Sequence, residues 1–304
     1  MQRYLLILLL GVGVVATVWP APFLVPVKLD WFMAATMLAV GAMLPRQEVR
    51  ELTKRWPTVL FGTMVQYTAM PFLGWIVART CGLPPAYQIG IVMVGCVPGA
   101  MASNVLTMNA GGNTSYSVGL TTSSTMLSPV VVPLLLKLTL QQDVQMDMLE
   151  VSLQLAWTVV IPVLTGFAIV QCVPLLEPFG NRWGPVIANI CILWIISVVV
   201  AKNQQHVGSA AISVIVPLLV VNILGYAAGY FASPLMRLSE PMRRALTLEV
   251  GMQNAGLGTV LVTRLYPEAP EAMIPTAVYT IGCVITATLL AHFWRWRDRK
   301  SNSR

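Results

Sequence analysis

Charge is what this sequence has least of. Asp, Glu, Lys and Arg make up 10% of its 304 residues, histidine occurs twice, and apolar residues fill 56% of positions. Mean hydropathy is +0.72. A soluble domain cannot hide that much apolar surface, so the class is a polytopic membrane protein. Catalytic signatures are also missing: there is no nucleophile elbow, HExxH pair, Walker loop or dinucleotide fingerprint. Their absence speaks against a hydrolase, an ATP-driven pump with its own motor and a nucleotide-linked oxidoreductase. Cys81, Cys96, Cys172, Cys191 and Cys283 form no CxxC pair and sit in or beside apolar runs. They are expected as small buried hydrophobes rather than metal ligands or disulfides. The formal net charge of +7 rests on basic residues scattered at segment ends, so a nucleic-acid partner is not expected.

What the chain does have is a series of long apolar runs. A membrane-crossing helix needs about 20 mainly apolar residues. Ten runs qualify: 4–19, 29–44, 57–79, 87–109, 114–137, 149–173, 184–202, 209–232, 241–264 and 271–294. The first two are short. The segment after Met1, Gln2 and Arg3 reads as a retained first span, since no convincing small-x-small cleavage site stands near Trp19. With the N-terminus inside, five of the nineteen Lys and Arg residues (Lys28, Arg79, Lys137, Lys202 and Arg264) lie outside. The others, among them Arg3, Arg46, Arg50, Lys54, Arg244 and Arg304, lie on the cytoplasmic side. That bias predicts an even number of spans with both termini in the cytoplasm. Trp19, Trp31, Trp56, Trp75, Trp183, Trp294 and Trp296 are expected mostly as interfacial anchors, and His206 and His292 as membrane-edge residues.

Within these runs one carboxylate stands apart. Glu249 lies inside Leu246-Thr-Leu-Glu-Val-Gly-Met-Gln-Asn-Ala-Gly-Leu-Gly258, whereas the other acids lie at or near segment ends. A carboxylate in a hydrocarbon slab costs kilocalories unless it meets a cation, a proton or water. Gln253 and Asn254 follow within about one helical turn, and small residues then loosen the helix. A second irregular stretch, Pro98-Gly99-Ala-Met-Ala-Ser103-Asn104, interrupts the fourth run. Proline removes a helix donor and the small residues permit unwinding. The stretch is either a packing kink or a break that exposes backbone groups to ions. Gly90 to Leu106 aligns without gaps to Ala245 to Leu261, and each follows a span carrying a buried amide, Gln66 with Tyr67 or Asn222 with Tyr226. Five spans followed by five more place the second half upside down, as in an inverted repeat. Ser117 and Thr121 stand four residues apart on one face of the fifth span, where two hydroxyls either bridge helices or face a hard cation. Gln66 and Gln253 are likewise either ligands or helix bridges. The triplet beginning at Asn113 falls in a short cytoplasmic turn and is not expected to carry a glycan.

Gly95-Cys-Val-Pro-Gly-Ala-Met-Ala-Ser103-Asn104, then Ser117 and Thr121, then Glu249-Val-Gly-Met-Gln253-Asn254-Ala-Gly resemble the bile acid:sodium symporter family over essentially the whole chain. The resemblance implies ten spans in two inverted five-helix repeats, with the fourth and ninth broken and crossing near the midplane. It implies panel helices in 1–56 and 139–207 and core helices in 57–138 and 208–304, the last with a basic cytoplasmic tail. It also implies two sodium ions and no other cofactor. The first ion would be held by Ser103, Asn104, Ser117, Thr121 and Glu249. The second would be held by Gln66, Glu249, Gln253 and the backbone carbonyls of Val250 and Met252. Asn254 and Met101 would face the substrate; relatives often carry a small polar residue in place of Met101.

The expectation is therefore an all-α sodium-coupled symporter of organic anions in the bacterial inner (cytoplasmic) membrane, with membrane lipid around it. Small carboxylates such as pantoate-like acids are the favoured cargo, with bile acids as a further class. The nearest alternative is a cation/proton antiporter in which Glu249 carries a proton. An intramembrane enzyme is the more distant one, because such enzymes normally pair their acids and this acid is alone.

Overall fold

A computed structural model describes residues 5–25, 27–44, 55–140, 147–204 and 207–302. Arg3, Arg46, Arg50, Lys54, His206 and Arg304 lie outside these residues. The described chain is helical: α1 (Leu5–Val18), α2 (Leu29–Ala42), α3 (Trp56–Thr80), α4 (Pro85–Cys96), α5 (Ala102–Asn109), α6 (Thr114–Thr139), α7 (Met148–Leu155), α8 (Ile161–Cys172), α9 (Glu177–Lys202), α10 (Val207–Ala232), α11 (Glu240–Gly251), α12 (Ala255–Leu265) and α13 (Met273–Asn302). A π-helical turn, Ala156–Val160, joins α7 to α8 just before Pro162, the kind of local adjustment that absorbs a missing helix donor.

Six helical stretches among the described residues are long and apolar enough to cross a membrane: Trp56–Thr80, Thr114–Thr139, Met148–Cys172, Pro174–Lys202, Ile212–Met236 and Pro270–Lys300. The runs expected at 87–109 and 241–264 are each divided into two short helices instead. Residues 97–101 separate α4 from α5, and residues 252–254 separate α11 from α12. The second break falls earlier than the small residues suggest. Ala255, Gly256 and Gly258 lie inside α12, where a Cβ on Gly258 would already be in tight contact with Thr276 and Met93. Those small residues serve close packing; the helix stops where neighbouring groups capture its last carbonyls. The helix expected at 184–202 begins at Glu177 and carries Pro185 internally.

The helices pack in two sets of neighbours. In one set α9 lies against α1 and α2, and α2 lies against α8. In the other, α3 packs on α4, α6 and α10, while α10 also meets α11 and α13. The divided helices belong to this second set. Their breaks meet as a single antiparallel bridge between Gly99 and Gln253. The Ala100 N–H donates to the Met252 carbonyl at 2.9 Å, and the Asn254 N–H donates to the Pro98 carbonyl at 2.8 Å. Two unwound segments thus satisfy each other's backbone, which hydrocarbon requires of any non-helical chain.

Two groups of residues depart from the sequence expectation. Cys96, Cys191 and Cys283 are buried, but Cys81 and Cys172 are exposed at helix ends. Arg244, expected as an orientation charge, is 4% exposed. It donates two hydrogen bonds to Asp298, at 2.6 and 2.7 Å, and one to the Ala110 carbonyl at 2.7 Å. Its guanidinium lies 5.7 Å from the ring centroid of Trp294, a buried residue rather than an interfacial anchor. The chain turns at Gly111 with φ of 68°, a left-handed conformation that glycine adopts freely. The ends of α5, α11 and α13 are thereby tied together.

The Asp298 side chain is 40% exposed, but its removal would leave the buried Arg244 guanidinium short of two acceptors, which costs about 1–3 kcal/mol. Asp298→Ala should lower the thermal unfolding temperature in detergent, and Asp298→Asn should recover part of the loss. An unchanged midpoint for Asp298→Ala would show that the pair adds nothing to stability.

Candidate functional site

Glu249 sits in the last turn of α11, two residues before the break, and is fully buried. Its carboxylate accepts a hydrogen bond from the Ser103 hydroxyl at 2.6 Å. The Thr121 hydroxyl spans its two oxygens at 2.7 and 2.8 Å. Thr121 also lies 3.4 Å from Asn104 Oδ1. Ser103 and Asn104 come from the first turn of α5 and Thr121 from α6, so three helices converge on the acid. Ser117 is one turn away: its hydroxyl accepts from Thr107 at 3.2 Å, and its carbonyl is 3.1 Å from the Thr121 hydroxyl. The structure therefore brings Ser103, Asn104, Thr121 and Glu249 into one cluster, with Ser117 joined to it through Thr121.

A second cluster adjoins the first. Gln66, buried in α3, donates to Gln253 Oε1 at 3.3 Å, and Gln253 Nε2 donates to the Val250 carbonyl at 2.7 Å. The two amides do bridge helices, yet Gln66 Oε1 is buried with no hydrogen-bond partner among the described residues. Gly99 connects the clusters: a Cβ there would run into the Glu249 carboxylate and come within 3.4 Å of Gln66 Nε2. Only a residue without a side chain allows the first break to approach the acid so closely.

Among the described residues no arginine, lysine or histidine pairs with Glu249. Two hydroxyl donors do not offset a charge removed from water, which costs several kilocalories even after relaxation. The carboxylate therefore requires a cation or a proton. The groups around it are hydroxyl, amide and carbonyl oxygens, the hard donors that alkali and alkaline-earth cations take. No group of three or more His, Cys, Asp or Glu side chains is poised for a metal among the described residues, so the donor set is unlike a transition-metal site.

Met101 and Asn254 occupy equivalent places, each at the N-cap of the helix that follows a break. Asn254 caps α12 by accepting from the Leu257 N–H at 3.1 Å; Met101 makes no side-chain cap, and its sulfur lies 3.8 Å from Asn104 Nδ2. Both are half-buried, unlike the residues of the two clusters. Asn113 is an N-cap too, accepting from the Tyr116 N–H at 2.8 Å at the start of α6.

A model of the sodium bile acid symporter family matches residues 31–210. A Bacillus subtilis (strain 168) protein named an uncharacterized sodium-dependent transporter, YocS, is 30% identical over 272 residues, 90% of this chain and 84% of its own length. The chain belongs to the sodium bile acid symporter family. Two plant members named probable sodium/metabolite cotransporter BASS1, chloroplastic, are also similar. The one from Arabidopsis thaliana is 30% identical over 86% of this chain and 65% of its own length. The one from Oryza sativa subsp. japonica is 28% identical over 92% of this chain and 68% of its own length. Membership makes the chain a sodium-dependent, multi-pass membrane transporter rather than an enzyme.

Sequence reasoning passed over part of the polar core. Tyr279 and Thr286 of α13 went unnoticed, and Asn222 registered only as a marker of the repeat. Tyr279, Cys283 and Thr286 recur at helical spacing on one face of the last span, a pattern that points inward. Thr107 was missed for the same reason as most hydroxyls: membrane helices use them mainly to bond their own backbone.

A ligand at about a hundred times its Kd adds about 2.7 kcal/mol to the folded state. Purified protein should therefore unfold at a higher temperature in sodium chloride than in choline chloride. Glu249→Gln keeps the shape but not the charge and should abolish that difference, as should Gly99→Ala, whose methyl displaces the carboxylate. A sodium increment that survives in both variants would rule out Glu249 as the ion's anchor.

Proposed function

We propose that the chain is a symporter that uses two sodium ions to carry an organic anion across the bacterial inner membrane. The observation that carries this reading is a buried carboxylate with no cationic partner among the described residues, ringed by oxygen donors where two broken helices meet. One ion is held by Ser103, Asn104, Ser117, Thr121 and Glu249. The other is held by Gln66, Glu249, Gln253 and the carbonyls of Val250 and Met252; the orphaned Gln66 oxygen gains a partner when it binds. A proton alone would neutralise Glu249 but has no use for so many oxygen donors, which is why we prefer symport to proton antiport.

In this reading each divided helix pair counts as one span. With the short α1 and α2 included there are ten, arranged as two inverted halves with both termini in the cytoplasm. The set containing α1, α2, α8 and α9 (1–56 and 139–207) is the panel, and the set containing the breaks (57–138 and 208–304) is the core that moves against it. Met101 and Asn254 line the anion site, where the N-termini of α5 and α12 offer N–H groups and a positive dipole end to a carboxylate. The Met101 thioether adds an adaptable apolar contact. Small or medium carboxylates of the pantoate type are the preferred cargo, with bile acids fitting the same charge requirement. Two sodium ions with a monoanion move one net positive charge inward, which a 100 mV potential favours by about 2.3 kcal/mol.

Uptake of labelled organic acids into proteoliposomes should require sodium, rise with it at a Hill coefficient above one, and be accelerated by an inside-negative potential. Uptake driven by a proton gradient without sodium would favour the antiporter. In competition assays with hydroxy acids, keto acids and bile salts, Asn254→Ala should weaken every acid several-fold with a smaller effect on sodium. Met101→Thr should reorder the acids. An unchanged ranking in both variants would put the anion elsewhere.

A further inference from the structure

The Gly251 carbonyl, the last of α11, is gripped by two side chains from outside the ion clusters. Asn222 Nδ2 of α10 and the Tyr279 hydroxyl of α13 each donate to it at 2.7 Å. All three groups lie in the protein interior. The asparagine is itself aimed. Thr286 donates to Asn222 Oδ1 at 2.7 Å, and the Tyr226 hydroxyl lies 3.0 Å from Thr286. A chain of hydrogen bonds therefore runs from Tyr226 through Thr286 and Asn222 to Gly251, and it leaves the amide only one orientation in which its N–H₂ faces the carbonyl. The backbones approach closely enough for this because Gly225 and Gly251 face each other. An added Cβ on Gly225 would come within 3.1 Å of the Gly251 Cα, and one on Gly251 would run into the Tyr226 ring.

We propose that Asn222 and Tyr279 form a positioning clamp that sets the direction of the Met252 carbonyl for the second sodium ion. A buried helix end must satisfy its last carbonyls, and water is excluded here. Most of those partners are incidental to function; this one is not, because of where Gly251 stands. It lies between the two residues whose carbonyls the second ion uses. The peptide joining it to Met252 is held from both sides, by the clamp on its oxygen and by donation of the Met252 N–H to the Leu248 carbonyl at 2.9 Å. Met252 is extended, with φ of −111° and ψ of 107°, so the carbonyls on either side of it point in opposite directions. The Gly251 oxygen turns to α10 and α13, and the Met252 oxygen turns to the crossing. Two donors also occupy both lone pairs of the Gly251 oxygen, which removes it from competition for the ion. Asn222 and Tyr279 thus act through the backbone and do not touch sodium.

The inference rests on the ion-site reading above, and one experiment separates the two. Sodium-22 binding to purified full-length protein in choline-balanced buffer is compared for wild type, Tyr279→Phe, Asn222→Ala, Thr286→Val, Gln66→Ala and Gln253→Ala. Thermal unfolding in choline chloride alone is measured alongside. Tyr279→Phe and Asn222→Ala should each raise the half-saturating sodium concentration about five- to tenfold, the size of one lost hydrogen bond, and bring the Hill coefficient towards one. Thr286→Val, which frees the Asn222 amide to turn, should do the same more weakly. Unfolding temperatures without sodium should fall by no more than the loss of one buried hydrogen bond, and the further increment that sodium adds should shrink as well. Wild-type sodium binding in Tyr279→Phe and Asn222→Ala, or a fall in sodium-free stability with the sodium increment intact, would overturn the clamp and leave a structural contact. If Asn222→Ala does not fold, Tyr279→Phe removes a single oxygen and decides alone. Wild-type binding in Gln66→Ala and Gln253→Ala would overturn the second ion site itself. Weakened binding in those two with none in the clamp variants would overturn the clamp only.

Discussion

The architecture turns on one unmet requirement: a carboxylate held away from water with no cationic side chain among the described residues to balance it. Glu249 receives two hydroxyl donors and nothing stronger. In a folded protein of ordinary stability, a charge worth several kilocalories persists in such a place only when function maintains it. The surrounding helices converge in a way that suits this demand. The last turn of α11 carries the acid, the first turn of α5 brings Ser103 and Asn104, α6 supplies Thr121, and Gly99 lets the first break come into contact. None of these groups is cationic, so no charge among the described residues balances the acid.

The breaks raise a second requirement, because each divided helix exposes carbonyl and N–H groups that hydrocarbon cannot solvate. The chain satisfies them with several kinds of partner. Backbone answers backbone at the Gly99–Gln253 bridge. Side chains answer backbone where Gln253 reaches the Val250 carbonyl and where Asn254 caps α12. Neighbouring helices answer at Gly251, through Asn222 and Tyr279. The breaks are consequently held by long-range contacts from α3, α10 and α13, and their shape is not a local property of residues 97–101 or 252–254. Loosening any one of these helices would be felt at the Glu249 cluster.

That dependence explains which parts of the site were legible in the sequence. Glu249 stands out because its cost is local: any acid inside an apolar run is conspicuous whatever surrounds it. Pro98 and Gly99 stand out because proline and glycine act on their own backbone. The position of the second break did not, since Ala255, Gly256 and Gly258 look like the weak point while the helix actually ends at Gly251. The capture of the Gly251 carbonyl by residues 29 positions before it and 28 after it leaves no trace in the local sequence. The ion pair of Arg244 is hidden for a similar reason. A basic residue at a segment end reads as an orientation signal, and only the fold reveals that its buried guanidinium pairs with the half-exposed Asp298, 54 positions away.

Hydroxyls are well suited to a site that must exist with and without its ion. A hydroxyl is one donor and two acceptor lone pairs on a single rotor. Without a cation, Ser103 and Thr121 turn their protons to the carboxylate and lessen its cost. In the proposed symporter the same oxygens would present lone pairs to sodium while the carboxylate balances its charge directly. The exchange needs rotation about C–O bonds and little displacement of backbone. A lysine in either place would neutralise Glu249 permanently and leave nothing for sodium to do. An apolar residue would leave the ion-free carboxylate without a donor. The serine and threonine at these positions are therefore compatible with both states of the proposed site, and a cation bound there would change the electrostatics of the crossing without unfolding it.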